Sequence, residues 1–284
     1  MRKGRYGAAL AALAAVAVLL TACSTKKDSS VVERAKENNK LTIGVKFDQP
    51  GIGLKKPDGS VEGFDIDVAT YIAKQLGVDA KNIAWKETRS VNRESFLQNG
   101  NVDLAVASYT INPNRKKKVG FAGPYYIAHQ DIMVRSNDNS IQSFADLKGK
   151  RLCQVAGSNS WENITRGTNK LNQKQDVVLF PANSYDECMT KLRGKSVDVV
   201  STDDVILAGF AARDPQNFKV VGAPFTDEKY GVGMKKGDKK SCEAVNMAIK
   251  KMYEDGSAQR FLEKNFGAAK FKYADTLPAF EPCS

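Results

Sequence analysis

The sequence predicts an α/β protein built on mostly parallel sheets with helices on both faces. Two patterns carry this reading. Short apolar, often β-branched runs recur along the chain, and stretches with one apolar face at helical spacing separate them. Leu41 to Val45 is the first strand-like run. Asp65 to Leu76 follows as a helix, with Ile66, Ala69, Ile72, Ala73 and Leu76 on one face and Gly77 as its stop. Strands are then expected over Val102 to Ala107, Asp131 to Val134, Leu152 to Ala156, Val177 to Phe180, Val197 to Val200 and Lys219 to Gly222. Ser241 to Phe266 reads as two helices broken at Gly256. A length of 284 residues allows one or two domains, and 42% apolar with 26% charged residues suits a chain with a real core.

The first residues read as processing signals. Arg2, Lys3 and Arg5 form a positive head, Gly7 to Leu20 is an uncharged apolar run of 14 residues, and Leu20-Thr21-Ala22-Cys23 closes it. The run is shorter than the ~20 residues that span a bilayer comfortably. The ending resembles the bacterial lipoprotein box, which implies a signal peptide over 1–22 and lipidation of Cys23. Plain cleavage and an uncleaved anchor are the alternatives. Residues 23–37 are polar and expected to form a tether, helical near Val31 to Lys36.

The net charge is +11; without the leader's three basic residues, 40 basic groups face 32 acidic ones, leaving +8. The lysines are scattered and the chain carries an export signal, so a solvated basic surface near an anionic membrane is expected, not nucleic-acid binding. Five cysteines are odd in number, and assigning Cys23 to lipid resolves this. An oxidising compartment favours bridges among Cys153, Cys188, Cys242 and Cys283. With no C-x-x-C, zinc or redox chemistry is not expected, and no cofactor is assigned.

Catalytic signatures are missing from the sequence. His129 is the only histidine, so a nucleophile–histidine pair has one possible base, and His129 reads as structural or superficial. G-x-S-x-G, the phosphate-cradling loop and H-E-x-x-H do not occur. Gly51-Ile52-Gly53 lacks a third glycine and reads as a loop.

Three segments are more specific. They are Gly63-Phe64-Asp65-Ile66-Asp67, then Asn99-Gly100-Asn101-Val102-Asp103 running into Ser108-Tyr109-Thr110-Ile111-Asn112-Pro113-Asn114-Arg115, then Phe121-Ala122-Gly123-Pro124-Tyr125-Tyr126. In this order they spell G-F-D-x-D, G-x-x-D, T-x-x-x-x-R and F-x-x-P-Y-Y. Each motif is weak alone, but together they resemble the polar-amino-acid family of solute-binding proteins of bacterial ABC importers. The resemblance runs from about Leu41 to Phe266, and Asp146-Leu147-Lys148-Gly149-Lys150 also fits it.

The resemblance implies a two-lobed, periplasmic-binding-protein-like fold of type II. Lobe one is expected at 38–126 plus 231–284 and lobe two at 130–228, with hinge crossings near Ile127 to His129 and Lys229 to Gly231. Of the three possible cysteine pairings, Cys153–Cys188 with Cys242–Cys283 keeps each bridge inside one lobe.

A free amino acid offers a carboxylate and an ammonium. Arginine meets a planar carboxylate with a charge-assisted fork, and Arg115 lies just past an expected strand end, where α/β sheets meet ligands. The resemblance implies that Ser108, Thr110 and Arg115 hold the α-carboxylate. It implies that Asp203 takes the ammonium, with Asp204 as the alternate or as a helix cap. Ser158 and Asn159, with Ser160, match the lobe-two loop that closes over the carboxylate with amides at a helix start. Tyr185 matches a polar ring placed over the ligand. Asp65 and Asp67 are expected to cap a helix or support the hinge.

Relatives that bind cationic amino acids carry an acid where this chain has Lys46, and those that bind glutamate and aspartate carry a basic residue. Ser90-Val91-Asn92-Arg93 matches the S-x-N-R of glutamate-type relatives. Lys46 and Arg93, with Ser90, would therefore meet a side-chain carboxylate. Two buried cations would reject neutral and basic side chains. The segment Asp48 to Leu54 lacks the family's aromatic cluster, which leaves glutamate, aspartate, glutamine and asparagine open.

The sequence thus predicts a monomeric, lipid-anchored receptor on the outer face of the cell membrane. It would capture an acidic amino acid by hinge closure and dock on ABC permease subunits. A surface amino-acid sensor and an exported dehydratase-type enzyme are the rival readings on the same fold.

Overall fold

The structure, a computed structural model, describes residues 29–269 and 273–283. The leader, Cys23 and the first part of the expected tether lie outside these residues. The tether ends earlier than expected, because α1 (Val31–Asn38) belongs to the folded body. Ser30 and Glu33 cap each other's backbone amides at its start, and Val31, Val32 and Ala35 are buried. Its first amides are held by residues more than two hundred positions away: Val31 N–H donates to Asp238 Oδ2 at 2.8 Å and Val32 N–H to Ser241 Oγ at 2.9 Å. So narrow an apolar stripe carries little periodic signal, and only the distant partner makes it core.

Lobe one begins with β1 (Leu41–Val45), buried except for Thr42. A small antiparallel flap follows, made of β2 (Asp48–Gln49), β3 (Gly53–Lys55) and β4 (Val61–Glu62). Helix α2 (Phe64–Gln75) packs its Phe64, Val68, Ala69, Ile72 and Ala73 face on the sheet. Then come β5 (Ile83–Glu87), α3 (Arg93–Gln98), β6 (Leu104–Ala105), the short α4 (Pro113–Lys116) and the long β7 (Gly120–Ala128).

Lobe two runs through β8 (Gln130–Arg135), β9 (Arg151–Val155), α5 (Ser160–Thr165), β10 (Val178–Ala182), α6 (Tyr185–Arg193), β11 (Val200–Asp203), α7 (Asp204–Arg213) and β12 (Phe218–Val220). The chain returns through β13 (Glu228–Met234) and ends in α8 (Lys239–Glu254) and α9 (Ser257–Phe266). Gly256 separates the last two helices with φ 73°, a conformation glycine adopts without a Cβ penalty.

The lobe-one sheet has strand order β5-β1-β6-β13-β7. In lobe two, β10 pairs with β9, and β11-β8-β12 forms a second ladder; a parallel bridge from Leu152 to Val199 joins the two. Both sheets are parallel except for one strand each: β13 runs against β6 and β7, and β8 against β11 and β12. These antiparallel strands adjoin the two connections between sheets. β7 passes into β8 with a single break at His129, and β13 lies beside it, pairing Glu228 with Ala128 and Lys229 with Ile127.

One expected strand is displaced. The run Val197 to Val200 is buried as foreseen, but β11 spans Val200–Asp203. Its polar residues Ser201, Thr202 and Asp203 stay in the ladder because β8 supplies partners at Ile132, Asp131 and Gln130. Hydrophobicity cannot signal a strand whose buried end is polar. Disulfides join Cys153 to Cys188, linking β9 to α6, and Cys242 to Cys283, pinning the C-terminal segment to α8.

Candidate ligand-binding cleft

The ends of β1, β6, β9 and β11 meet between the lobes, and the lobes are shut against each other. Gly209 of α7 packs so closely on the flap that a Cβ there would lie 1.8 Å from the Pro50 carbonyl oxygen. Gly157, with φ 76°, is also close: a Cβ there would lie 2.5 Å from the Val91 backbone. Between the lobes is a small space lined by Lys46, Asp48, Gln49, Arg89 and Ser90 on one side and Val155, Asn183, Ser184 and Tyr185 on the other.

Arg115 sits in the first turn of α4. Pro113 starts that turn, and Asn112 Oδ1 accepts from Arg115 N–H at 2.9 Å. The cap aims the guanidinium inward, where it is 6% exposed. It donates to the Thr110 carbonyl at 2.8 Å and across the lobes to the Gly157 carbonyl at 3.2 Å. Arg93 lies beside it, with Nη1 on the Ala107 and Ser108 carbonyls and Nη2 on the same Gly157 oxygen. Both guanidinium carbons face the ring of Tyr109, at 4.1 Å for Arg93 and 5.1 Å for Arg115. Burial, and then Arg115, lower the Arg93 pKa to about 10.

Lys46 follows β1 and is 4% exposed. Its Nζ donates to Ser90 Oγ at 2.9 Å. Among the described residues no carboxylate forms an ion pair with Lys46 or Arg93. Burial, and then the charges of Arg93 and Arg115, depress the Lys46 pKa to about 7, while Asp48 and Asp65 pull the other way.

The acid side is equally built. Asp203 ends β11 and makes no cap with its side chain; its Oδ2 accepts from Tyr230 O–H at 2.5 Å. Asp204 performs the local work instead, accepting from Val205 N–H at 2.8 Å and His129 N–H at 3.1 Å. Burial, and then the charges of Glu228 and Asp204, hold the Asp203 carboxyl well above the ordinary range; Tyr230 and Arg115 oppose this. Asp65 does not cap α2. It receives Ser108 N–H and Tyr125 O–H, each at 2.6 Å, and so ties α2 to the end of β6. Burial raises its pKa to about 6 against those bonds. Asp67 instead binds Lys264 and Asn265, outside the cleft.

The expected site residues therefore fall into groups. Lys46, Ser90 and Tyr185 line the space itself. Arg115 and Asp203 are buried and do not line it. Tyr185 O–H bonds Ser158 Oγ at 2.8 Å and donates to Ser160 Oγ at 3.1 Å. Asn159 is turned away, onto Glu228 Oε2 at 3.2 Å. Ser108 has φ 43° and gives its hydroxyl to Gln49 Oε1 at 3.0 Å, and Thr110 contributes its carbonyl to Arg115. Gln49, Tyr109, Gly157, Glu228 and Tyr230 were not anticipated. Only Tyr109 lay inside a quoted motif, and nothing local marks a glycine carbonyl as the acceptor for two arginines.

A Gly209→Ala variant tests whether closure matters. Alanine should strengthen α7 by up to about 1 kcal/mol, while the clash with Pro50 should cost the closed form about 1–3 kcal/mol. The melting temperature should hold or rise while ligand affinity falls roughly five- to hundredfold by calorimetry. Unchanged affinity would mean that the flap does not close on α7.

The arrangement buries Lys46, Arg93 and Arg115 in lobe one and Asp203 and Asp204 in lobe two. The model of the bacterial extracellular solute-binding proteins, family 3, matches residues 41–268. The glutamate-binding protein GluB of Corynebacterium efficiens is 40% identical over 273 residues, covering 93% of this chain and 91% of its own length. The ABC transporter glutamine-binding protein GlnH of Bacillus subtilis is 36% identical over 270 residues, 91% of this chain and 96% of its own. An ancestral arginine-binding protein bound to glutamine aligns with a TM-score of 0.72 at 34% identity, over 81% of this chain and 98% of that one. From its first strand to the end of its last long helix, this chain belongs to the bacterial extracellular solute-binding proteins of family 3.

Proposed function

We propose that this protein is a lipid-anchored receptor outside the cell that closes on a free acidic amino acid and delivers it to the permease of an ABC importer. Glutamate is the first candidate, followed by aspartate and then the amides. Arg115 would meet the α-carboxylate, Asp203 the ammonium and Lys46 the side-chain carboxylate. The carrying observation is Lys46: a buried ammonium bonded to the Ser90 hydroxyl and repelled by two arginines. A second ligand carboxylate would relieve that repulsion, and a lysine or arginine side chain would add to it. The names of GluB and GlnH agree with this chemistry. Anchoring at Cys23, the monomeric state and the binding role of each residue belong to the proposal.

The test is calorimetric titration with all twenty amino acids. Heat with glutamate or aspartate and none with arginine is expected; tight lysine or histidine binding would reject the role of Lys46. Lys46→Met should remove glutamate binding while stabilising the ligand-free protein by about 1–4 kcal/mol, as apolar replacement of a buried charge often does. The pH dependence follows from the sign of the shift. Lys46 must be charged to attract a carboxylate, and with the lobes shut around it, it loses its proton as pH rises through about 7. Glutamate affinity should fall above that pH, and binding near neutrality should take up a proton. A flat profile on the alkaline side would rule out Lys46 as the carboxylate partner.

A further inference from the structure

We propose that the lysine-rich end of lobe one, around the start of α8, is a contact surface for anionic phospholipid that orients the receptor on its own membrane. The inference rests on the reading of Cys23 as the lipid anchor. It starts from where the chain leaves the folded body. Asp238 and Ser241, at the start of α8, hold the first amides of α1, and Lys240 pairs with Glu33 at 2.5 Å. Residue 29 therefore emerges beside the N-terminal end of α8. Cys23 lies six residues earlier in the sequence, a reach of at most ~20 Å even when fully extended. An acylated Cys23 keeps the start of α8 near the bilayer.

The same face is basic. Lys235 and Lys236 follow β13, Lys239 and Lys240 open α8, and Lys117 and Lys118 close the α4 turn; all six are exposed. Lys236 Nζ donates to the Lys117 carbonyl at 3.1 Å, which joins the two clusters. The acids nearby are engaged. Asp238 receives Val31 N–H and Ser241 N–H, Glu33 pairs with Lys240, and Glu243 stands 3.9 Å from Lys239. Lys26 and Lys27, against Asp28, add one more net positive charge in the stretch leading back to Cys23. A lipid chain binds membranes more securely beside a polybasic patch. Each lysine near an anionic leaflet contributes roughly fivefold to binding, and the attraction fades beyond a Debye length of about 10 Å at 0.1 M salt.

The experiment uses the chain from residue 23 with Cys23→Ser, which keeps every described residue and removes the lipid. Sedimentation with vesicles of phosphatidylglycerol and phosphatidylcholine should show binding that disappears at high salt and with phosphatidylcholine alone. Combining Lys235→Glu, Lys236→Glu and Lys239→Glu should weaken it by about a hundredfold. Combining Lys148→Glu, Lys174→Glu and Lys191→Glu in lobe two changes the net charge equally and should weaken it less than tenfold. Equal losses in the two triples would reduce the effect to net charge and overturn the surface, as would no preference for the anionic vesicles. Melting curves and glutamate calorimetry on the same samples keep the two proposals separate. Glutamate heat without vesicle binding sinks the surface alone, and vesicle binding without glutamate heat sinks the ligand reading alone.

Discussion

Arg115→Ala is expected to abolish amino-acid binding and leave a folded protein. The guanidinium is buried, bridges the Thr110 and Gly157 carbonyls and stands 3.8 Å from Glu94. In the proposed complex it also carries the ligand's α-carboxylate. Removing one partner of a buried, hydrogen-bonded charge pair costs about 3–5 kcal/mol, because the other partner is left unpaired. That is roughly two to three and a half orders of magnitude in Kd. The fold should survive, because α4 is started by Pro113 and Asn112, and the main core lies elsewhere. Loss of the carbonyl contacts is partly offset by relief of the repulsion with Lys46 and Arg93. Arg115→Lys keeps the charge and loses the fork, so it should fall between the two. Micromolar glutamate affinity in the alanine variant would reject the assignment.

The second large effect should come from Asp203→Asn. Asparagine keeps the shape and can still accept from Tyr230 O–H, but it has no charge for an ammonium. Affinity should fall by about 2–5 kcal/mol, or roughly thirty- to several-thousandfold. The variant should also change the acid side of the pH profile. With the lobes shut, the Asp203 pKa is raised well above its ordinary 3.8 by burial and by Glu228 and Asp204. Wild-type affinity should therefore rise with pH as Asp203 ionises, with a proton released on binding below that point; the asparagine variant should lose this dependence. Stability moves the other way. A carboxyl whose folded pKa is raised favours the folded state below pH 3.8 and loses that contribution as pH rises towards the folded value. The variant should accordingly melt higher than wild type at neutral pH. A profile of unchanged shape, with unchanged affinity, would remove Asp203 from the site.

Much of this was legible in the chain. Helix α2 is written in the spacing of its apolar residues, the break between α8 and α9 in Gly256, and the disulfides in four cysteines sorted by lobe. Lys46, Ser90, Tyr185, Arg115 and Asp203 were marked by motif position; the first three line one space, and Arg115 and Asp203 are buried. Other assignments needed the third dimension. Asp65 read as a helix cap or a hinge support; it caps nothing in α2 and instead holds Ser108 and Tyr125, 43 and 60 residues away. Arg93 read as a ligand contact, and the structure gives it three carbonyls, one of them from the opposite lobe.

The sequence by itself determined the α/β class through its periodicity, and through its motif resemblance the two lobes and the roles expected of Arg115 and Asp203. Periodicity and motif position can be read without knowing a residue's distant neighbours. Only the tertiary structure decided that α1 is core, that β11 runs on to Asp203, and that Gly157 receives both arginines. Burial and pairing are set by whatever packs against a group. For a backbone carbonyl or a narrow apolar stripe, that partner lies dozens to hundreds of residues away, beyond the reach of any local pattern.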